Sequence, residues 1–170
     1  MTALVWAANF LGWPLLQLGI ARSSLSIPLE NFAGSNALYE PRSWERDGRV
    51  YRDLLRIRKW KSILPDGASW FGAFSKKKLL SRDPDYLRTF LLETRRAEFA
   101  HWIMLFCFPI FFLWNPPWAR LVMLAYAVFA NLPFILVQRY NRVVLARLDI
   151  RSSKGERLRD RVGLCHRNLT

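Results

Sequence analysis

The sequence predicts an all-α integral membrane protein with three transmembrane helices, at about 4–21, 99–115 and 120–138, and with cytoplasmic amphipathic helices between spans one and two. Three observations carry this reading. The 170-residue chain is 52% hydrophobic and 15% aromatic, too apolar for a disordered polypeptide. Its charges are segregated: residues 1–21 and 121–138 have none, and 99–119 have none beyond the titratable His101. Each run approaches the roughly 20 residues that a bilayer-spanning helix needs. The basic residues then set the orientation. Positions 22–98 hold 16 Lys and Arg against 10 acids and positions 138–170 hold 9 against 3, leaving only Arg120 between spans two and three. The positive-inside rule places the N-terminus outside and both polar stretches, with the C-terminus, on the cytoplasmic side of a cell membrane.

Taken in order, the first run has no Lys or Arg ahead of it and no clear small-residue cleavage site behind it, so it reads as a span and not a signal peptide. Residues 22–98 form a cytoplasmic interfacial segment of one membrane-embedded domain covering 1–170. Within it "SIPLENFAGSNALYEPRSWERDG" (26–48) is rich in Pro, Gly, Asn and Ser and reads as irregular. In "VYRDLLRIRKWKSIL" (50–64) the apolar Val50, Leu54, Ile57, Trp60 and Leu64 recur at helical spacing, predicting an amphipathic helix in the interface. "LPDG" ends it by turn chemistry. "SWFGAFSKKKLL" (69–80) mixes aromatics with lysines and suits the headgroup layer. Asp83, Pro84 and Asp85 then supply an N-cap, a first-position proline and a first-turn acid, starting a helix with no breaker before 108. "NPPW" (115–118) is a tight outer turn that makes spans two and three antiparallel, with Trp118 at the interface. Residues 148–170 are a basic tail, expected to be mobile.

The net charge of +13 invites a nucleic-acid reading. The cations, however, flank apolar spans, where orientation and anionic lipid headgroups account for them, so no nucleic-acid partner is expected. Cys107 within a span and Cys165 in the tail give no disulfide framework. There is no metal-ligand spacing and no Gly-rich nucleotide fingerprint.

Chemistry concentrates at the boundary of span two. Glu98 and His101 share a helical face, with Arg95 one turn before Glu98 and Trp102 one turn after it. A carboxylate beside an imidazole makes a general base, whereas a Glu98–Arg95 pair with an interfacial His101 would be structural only. Asn131, Gln138, Arg139, Asn141 and Arg142 place polar groups in and just beyond span three. Such groups face the bundle interior, either to hydrogen-bond between helices or to meet a substrate. Antiparallel packing brings His101 and the Gln138–Arg142 cluster to one level. Asp66 is a second candidate base or a turn residue, and Lys59 and Trp60 are interfacial anchors or donor contacts.

Three blocks, "IRKWKSILPDG" (57–67), "ETRRAEFAHW" (93–102) and "ANLPFILVQRYNRVVL" (130–145), resemble the signature blocks of glycosyl-4,4'-diaponeurosporenoate acyltransferases. They lie in the family's order behind an N-terminal span, over roughly residues 5–147. One departure is Val143 and Val144, where the family carries Pro and Arg. The resemblance implies a membrane acyltransferase of staphyloxanthin-type carotenoid synthesis. It would move a fatty acyl group from an acyl thioester, on coenzyme A or a carrier protein, to a sugar hydroxyl of a glycosylated carotenoid carboxylate or a related glycolipid. No cofactor is expected beyond that thioester co-substrate.

On this reading His101 is the general base and Glu98 orients it. Arg95 or Arg96 meets donor phosphate or the developing oxyanion. Asn131, Gln138 and Arg139 hold the sugar, with Asn141 and Arg142 beside them. Neither a G-x-S-x-G elbow nor a His followed four residues later by Asp occurs, which favours direct transfer without a covalent acyl-enzyme. Two other readings compete: a non-catalytic membrane scaffold or assembly subunit, and another isoprenoid- or lipid-modifying membrane enzyme. Three spans enclose little volume, so a homo-oligomer or a complex with neighbouring pathway enzymes is compatible with either.

Overall fold

In the computed structural model the Asp83 carboxylate accepts the backbone N–H of Tyr86 at 3.1 Å and opens helix α3, Pro84–Phe106, where the N-cap, proline and first-turn acid placed it. The structure describes the backbone of all residues except 1, 66–71, 73, 75–78, 82 and 168–170; side chains at 46, 47 and 148–167 are not described either. Helix α1 is Ala3–Leu25, α2 is the single turn Ile57–Trp60, and α4 is Pro117–Arg167. Among the described residues there is no strand. Three helical stretches are long and apolar enough to cross a membrane, Ala3–Leu25, Pro84–Leu113 and Pro117–Arg147, which makes the chain a multi-pass membrane protein. The third span and the basic stretch after it are one continuous helix.

Helix α3 continues beyond Cys107 as a 3₁₀ segment, Phe108–Leu113, and the chain reverses at Asn115–Pro116 into α4. The pair α3/α4 forms the main packing interface, with α1 laid against α3. At the turn end Asn9 and Asn115 exchange amide hydrogen bonds at 2.7 and 2.8 Å, and Trp114 Nε1 donates to Asn9 Oδ1 at 2.8 Å. These bonds satisfy amides that lipid could not solvate. Below them Trp13 stacks on Phe111 with ring centroids 4.3 Å apart, and Ala127 closes the cluster from α4. Gly12 makes that approach possible: a Cβ there would stand 3.1 Å from Phe111 Cε1.

The segment between spans one and two packs back onto the bundle at two points. Phe32 and Tyr39 bury against Leu92 of α3, and Tyr51 and Ile57 bury against Val143 of α4. The expected continuous helix over 50–64 is instead broken in two. A π-helical turn, Val50–Leu54, ends in Arg56 at φ 48, and α2 starts afresh from there. The reason is burial: the left-handed residue turns both Tyr51 and Ile57 into the bundle, while Leu54 stays 76% exposed. Trp60 Nε1 ties the second piece to the first by donating to the Leu55 carbonyl at 2.8 Å. Gly48, at φ 80, lies where a Cβ would stand 2.9 Å from Val143 Cγ1.

Close packing of α1 through Gly12 is directly testable. Gly12→Leu should cost about 1–3 kcal/mol by overpacking against Phe111. Gly19→Leu, where nothing lies within 4 Å of an added Cβ, should cost far less. Melting temperatures of the two variants in one detergent compare them.

Candidate active site

At the end of the bundle remote from the 115–118 turn, α3 and α4 bury an unusual number of charges. Glu98 is fully buried and accepts from Trp102 Nε1 at 3.1 Å and from Arg139 Nη1 at 3.2 Å; Arg142 Nη2 bonds its other oxygen. Arg139 reaches Glu45 as well, Nη2 to Oε1 at 2.6 Å, and donates to the Leu38 carbonyl at 2.8 Å and the Glu40 carbonyl at 3.3 Å. Glu45 in turn receives the Tyr51 hydroxyl at 2.8 Å and the Arg42 backbone N–H at 3.1 Å. Burial, and then the bond to Glu45, raise the Tyr51 hydroxyl well above its ordinary pKa, so it stays protonated and donates. A buried ion-pair cluster of this kind is tolerable only because nearly every lone pair is answered.

His101 lies one turn along α3 from Glu98, toward the membrane interior. Its ring stacks on Phe134 at 4.6 Å between centroids, and Nδ1 stands 3.1 Å from Asn131 Oδ1. The Asn131 amide is pinned on its other side, where Nδ2 donates to the Ala127 carbonyl at 2.9 Å. Because a carbonyl only accepts, this bond fixes which end of the amide faces the ring. Oδ1 therefore accepts from Nδ1–H, and in the neutral imidazole the basic lone pair belongs to Nε2.

The candidate residues divide as follows. Asn131 meets His101, while the Glu98 oxygens meet Arg139, Arg142 and Trp102. The Arg95–Glu98 pair of the structural reading does not form; Arg95 Nη1 instead donates to the carbonyls of Phe32, Ala33 and Gly34 at 2.7, 3.3 and 3.0 Å. Arg96 pairs with Glu93 and also reaches the Leu25 carbonyl, capping the end of α1. Gln138 and Asn141 are both 7% exposed, and Gln138 Oε1 and Asn141 Nδ2 have no hydrogen-bond partner among the described residues. Trp60 is engaged in holding the inter-span segment, Lys59 is exposed, and Asp66 lies outside the described residues.

Sequence reasoning missed Glu45, Tyr51 and Tyr39. Tyr39 sits under both Arg95 and Arg142, whose guanidinium carbons are 5.6 and 5.7 Å from its ring centroid. The available signal was charge balance. Arg139 and Arg142 at the end of a span call for acids, Glu98 alone is too few, and the inter-span segment had to supply another.

Comparison with known proteins gives a consistent answer. Residues 35–150 match the family model described as glycosyl-4,4'-diaponeurosporenoate acyltransferase. Proteins of that name from Staphylococcus haemolyticus (strain JCSC1435) and Staphylococcus aureus (strain Newman) are 32% and 33% identical over 147 residues. The matches cover 85% of this chain and 85% and 88% of theirs. No solved structure matches the chain.

Removing one carboxylate from the cluster leaves an arginine buried without its partner. Glu98→Ala and Glu45→Ala should each destabilise the fold by about 3–5 kcal/mol. A chemical-denaturation midpoint read in detergent for each variant checks this, with exposed Glu30→Ala as the neutral control.

Proposed function

The chain belongs to the glycosyl-4,4'-diaponeurosporenoate acyltransferase family, and on that footing we propose that it acylates a sugar hydroxyl of a glycosylated carotenoid carboxylate, drawing the fatty acyl group from an acyl thioester. The pinned Asn131 amide is the observation that carries the mechanism, because it gives His101 a defined tautomer with Nε2 basic. His101 Nε2 takes the proton of the sugar hydroxyl as its oxygen attacks the thioester carbonyl. The tetrahedral intermediate collapses with cleavage of the carbon–sulfur bond. The thiolate then takes the proton back from the imidazolium, so the products are an ester and a thiol and the base is regenerated.

Depth supports this assignment. The basic residues of the inter-span segment favour a cytoplasmic setting for the charged end of the bundle in the cell membrane. From Gln138 to Asn131 is seven residues of helix, about 10 Å along the axis. One turn further on, at Ala127, α4 leaves these buried polar groups and meets the aromatic cluster around Phe111 and Trp13. A glycosylated polyene has the same gradient, with hydroxyls at one end and hydrocarbon at the other. Gln138 Oε1 and Asn141 Nδ2 offer an acceptor and a donor to those hydroxyls, and His101 lies at the junction where an acyl carbonyl would enter from the bilayer. Glu98 acts as the anchor of Arg139, Arg142 and Trp102, and Asn131 positions the base.

His101→Ala should lower acyl transfer by about 10²- to 10⁴-fold in membranes given glycosylated carotenoid acid and fatty acyl thioester, at unchanged protein level. Asn131→Leu should lose less and should not mimic His101→Ala. Product detected by mass spectrometry decides: full activity in His101→Ala would return the histidine to membrane anchoring.

A further inference from the structure

A second group of buried donors remains beside the sugar-facing amides. Arg142, 5% exposed, spends Nη2 on Glu98, and its Nη1 has no partner among the described residues. Arg95 spends Nη1 on the three carbonyls of residues 32–34, and its buried Nε also has none. Both guanidiniums lie over the one ring of Tyr39, which joins them across α3, α4 and the inter-span segment. Arg96 is excluded from this group by its pairing with Glu93. Leaving aside the exposed Glu40 and Arg42, the described side chains that remain around Tyr39 are three arginines, 95, 139 and 142, against two carboxylates, Glu45 and Glu98. An uncompensated cation at a membrane boundary is expensive, and two buried N–H groups with no acceptor add to the cost.

The geometry points to an anion subsite in which Arg95 Nε–H and Arg142 Nη1–H together hold a phosphate ester, with Tyr39 as its floor. A single added negative charge balances the cluster, and a tetrahedral phosphate presents oxygens to two guanidiniums at once. Two molecules bring such a group to this depth: the phosphopantetheine arm of an acyl thioester donor, and the headgroup of an anionic lipid. The donor as source rests on the acyl-transfer reading above. Binding is measured without turnover, so failure of the subsite and failure of that reading are separable.

The experiment uses the full chain in nanodiscs of phosphatidylcholine and titrates three probes by calorimetry: phosphopantetheine, pantetheine, and short-chain phosphatidylglycerol. Wild type should bind phosphopantetheine or phosphatidylglycerol, whichever is the source, and should not bind pantetheine. Arg95→Gln should weaken that binding about tenfold or more. Arg142→Lys keeps the charge facing Glu98 but removes the second nitrogen, and gives the same test should Arg95→Gln fail to fold. Preference for phosphopantetheine assigns the subsite to the donor; preference for phosphatidylglycerol assigns it to a headgroup. Absence of binding by both phosphate probes, or equal binding in wild type and variants, overturns the proposal.

Discussion

Arg139 and Arg142 stand one turn apart on α4, buried in a protein that crosses a membrane, and neither can lose its charge. Their carboxylate partners come from two different parts of the chain: Glu98 from α3 and Glu45 from the segment between the first two spans. That requirement fixes much else. It sets the register of α3 against α4, since Glu98 has to face both arginines while its i+3 neighbour His101 faces Asn131 and Phe134. It also brings an irregular stretch of chain onto the bundle, where Tyr39 and Tyr51 are then buried.

The same arrangement separates three groups of side chains along the bundle. The charge cluster lies nearest the polar phase, the orphaned amides of Gln138 and Asn141 sit beside it, and the histidine lies just beyond, against aromatic packing. Val143 shows how the local sequence serves this. Together with Tyr51 and Ile57 it forms a buried apolar cluster, and it packs so close to Gly48 that no side chain fits there. Val143 thereby seats the inter-span segment on α4. Its neighbours at 138, 141 and 142 are buried polar side chains.

The spans, the α3 N-terminus and the antiparallel α3/α4 pair were legible because charge segregation, capping and turn chemistry are local signals. The polar face of α4 was legible too, since amides and arginines at span depth have few alternatives to the bundle interior. The continuous helix over 50–64 was misread because helical periodicity predicts one buried face, and the fold instead buries Tyr51 and Ile57 through a left-handed break at Arg56. The contact between His101 and Asn131 was not legible for a related reason. Spacing along one helix points to Glu98 as the neighbour of His101, whereas Asn131 Oδ1 reaches Nδ1 from across the interface at 3.1 Å, and cross-helix contacts have no one-dimensional signature. Glu45, embedded in a stretch that reads as loop, was invisible until the arginines it compensates were located.

Arg139 clamps the inter-span segment over the bundle through Glu45 and the carbonyls of Leu38 and Glu40. Amide hydrogen exchange of the detergent-solubilised chain, wild type against Arg139→Gln, tests it most directly. The clamp predicts slow exchange across residues 38–51 in wild type and fast exchange there in the variant, with α1 and the apolar part of α4 still protected. Equal protection of 38–51 in both proteins would contradict it.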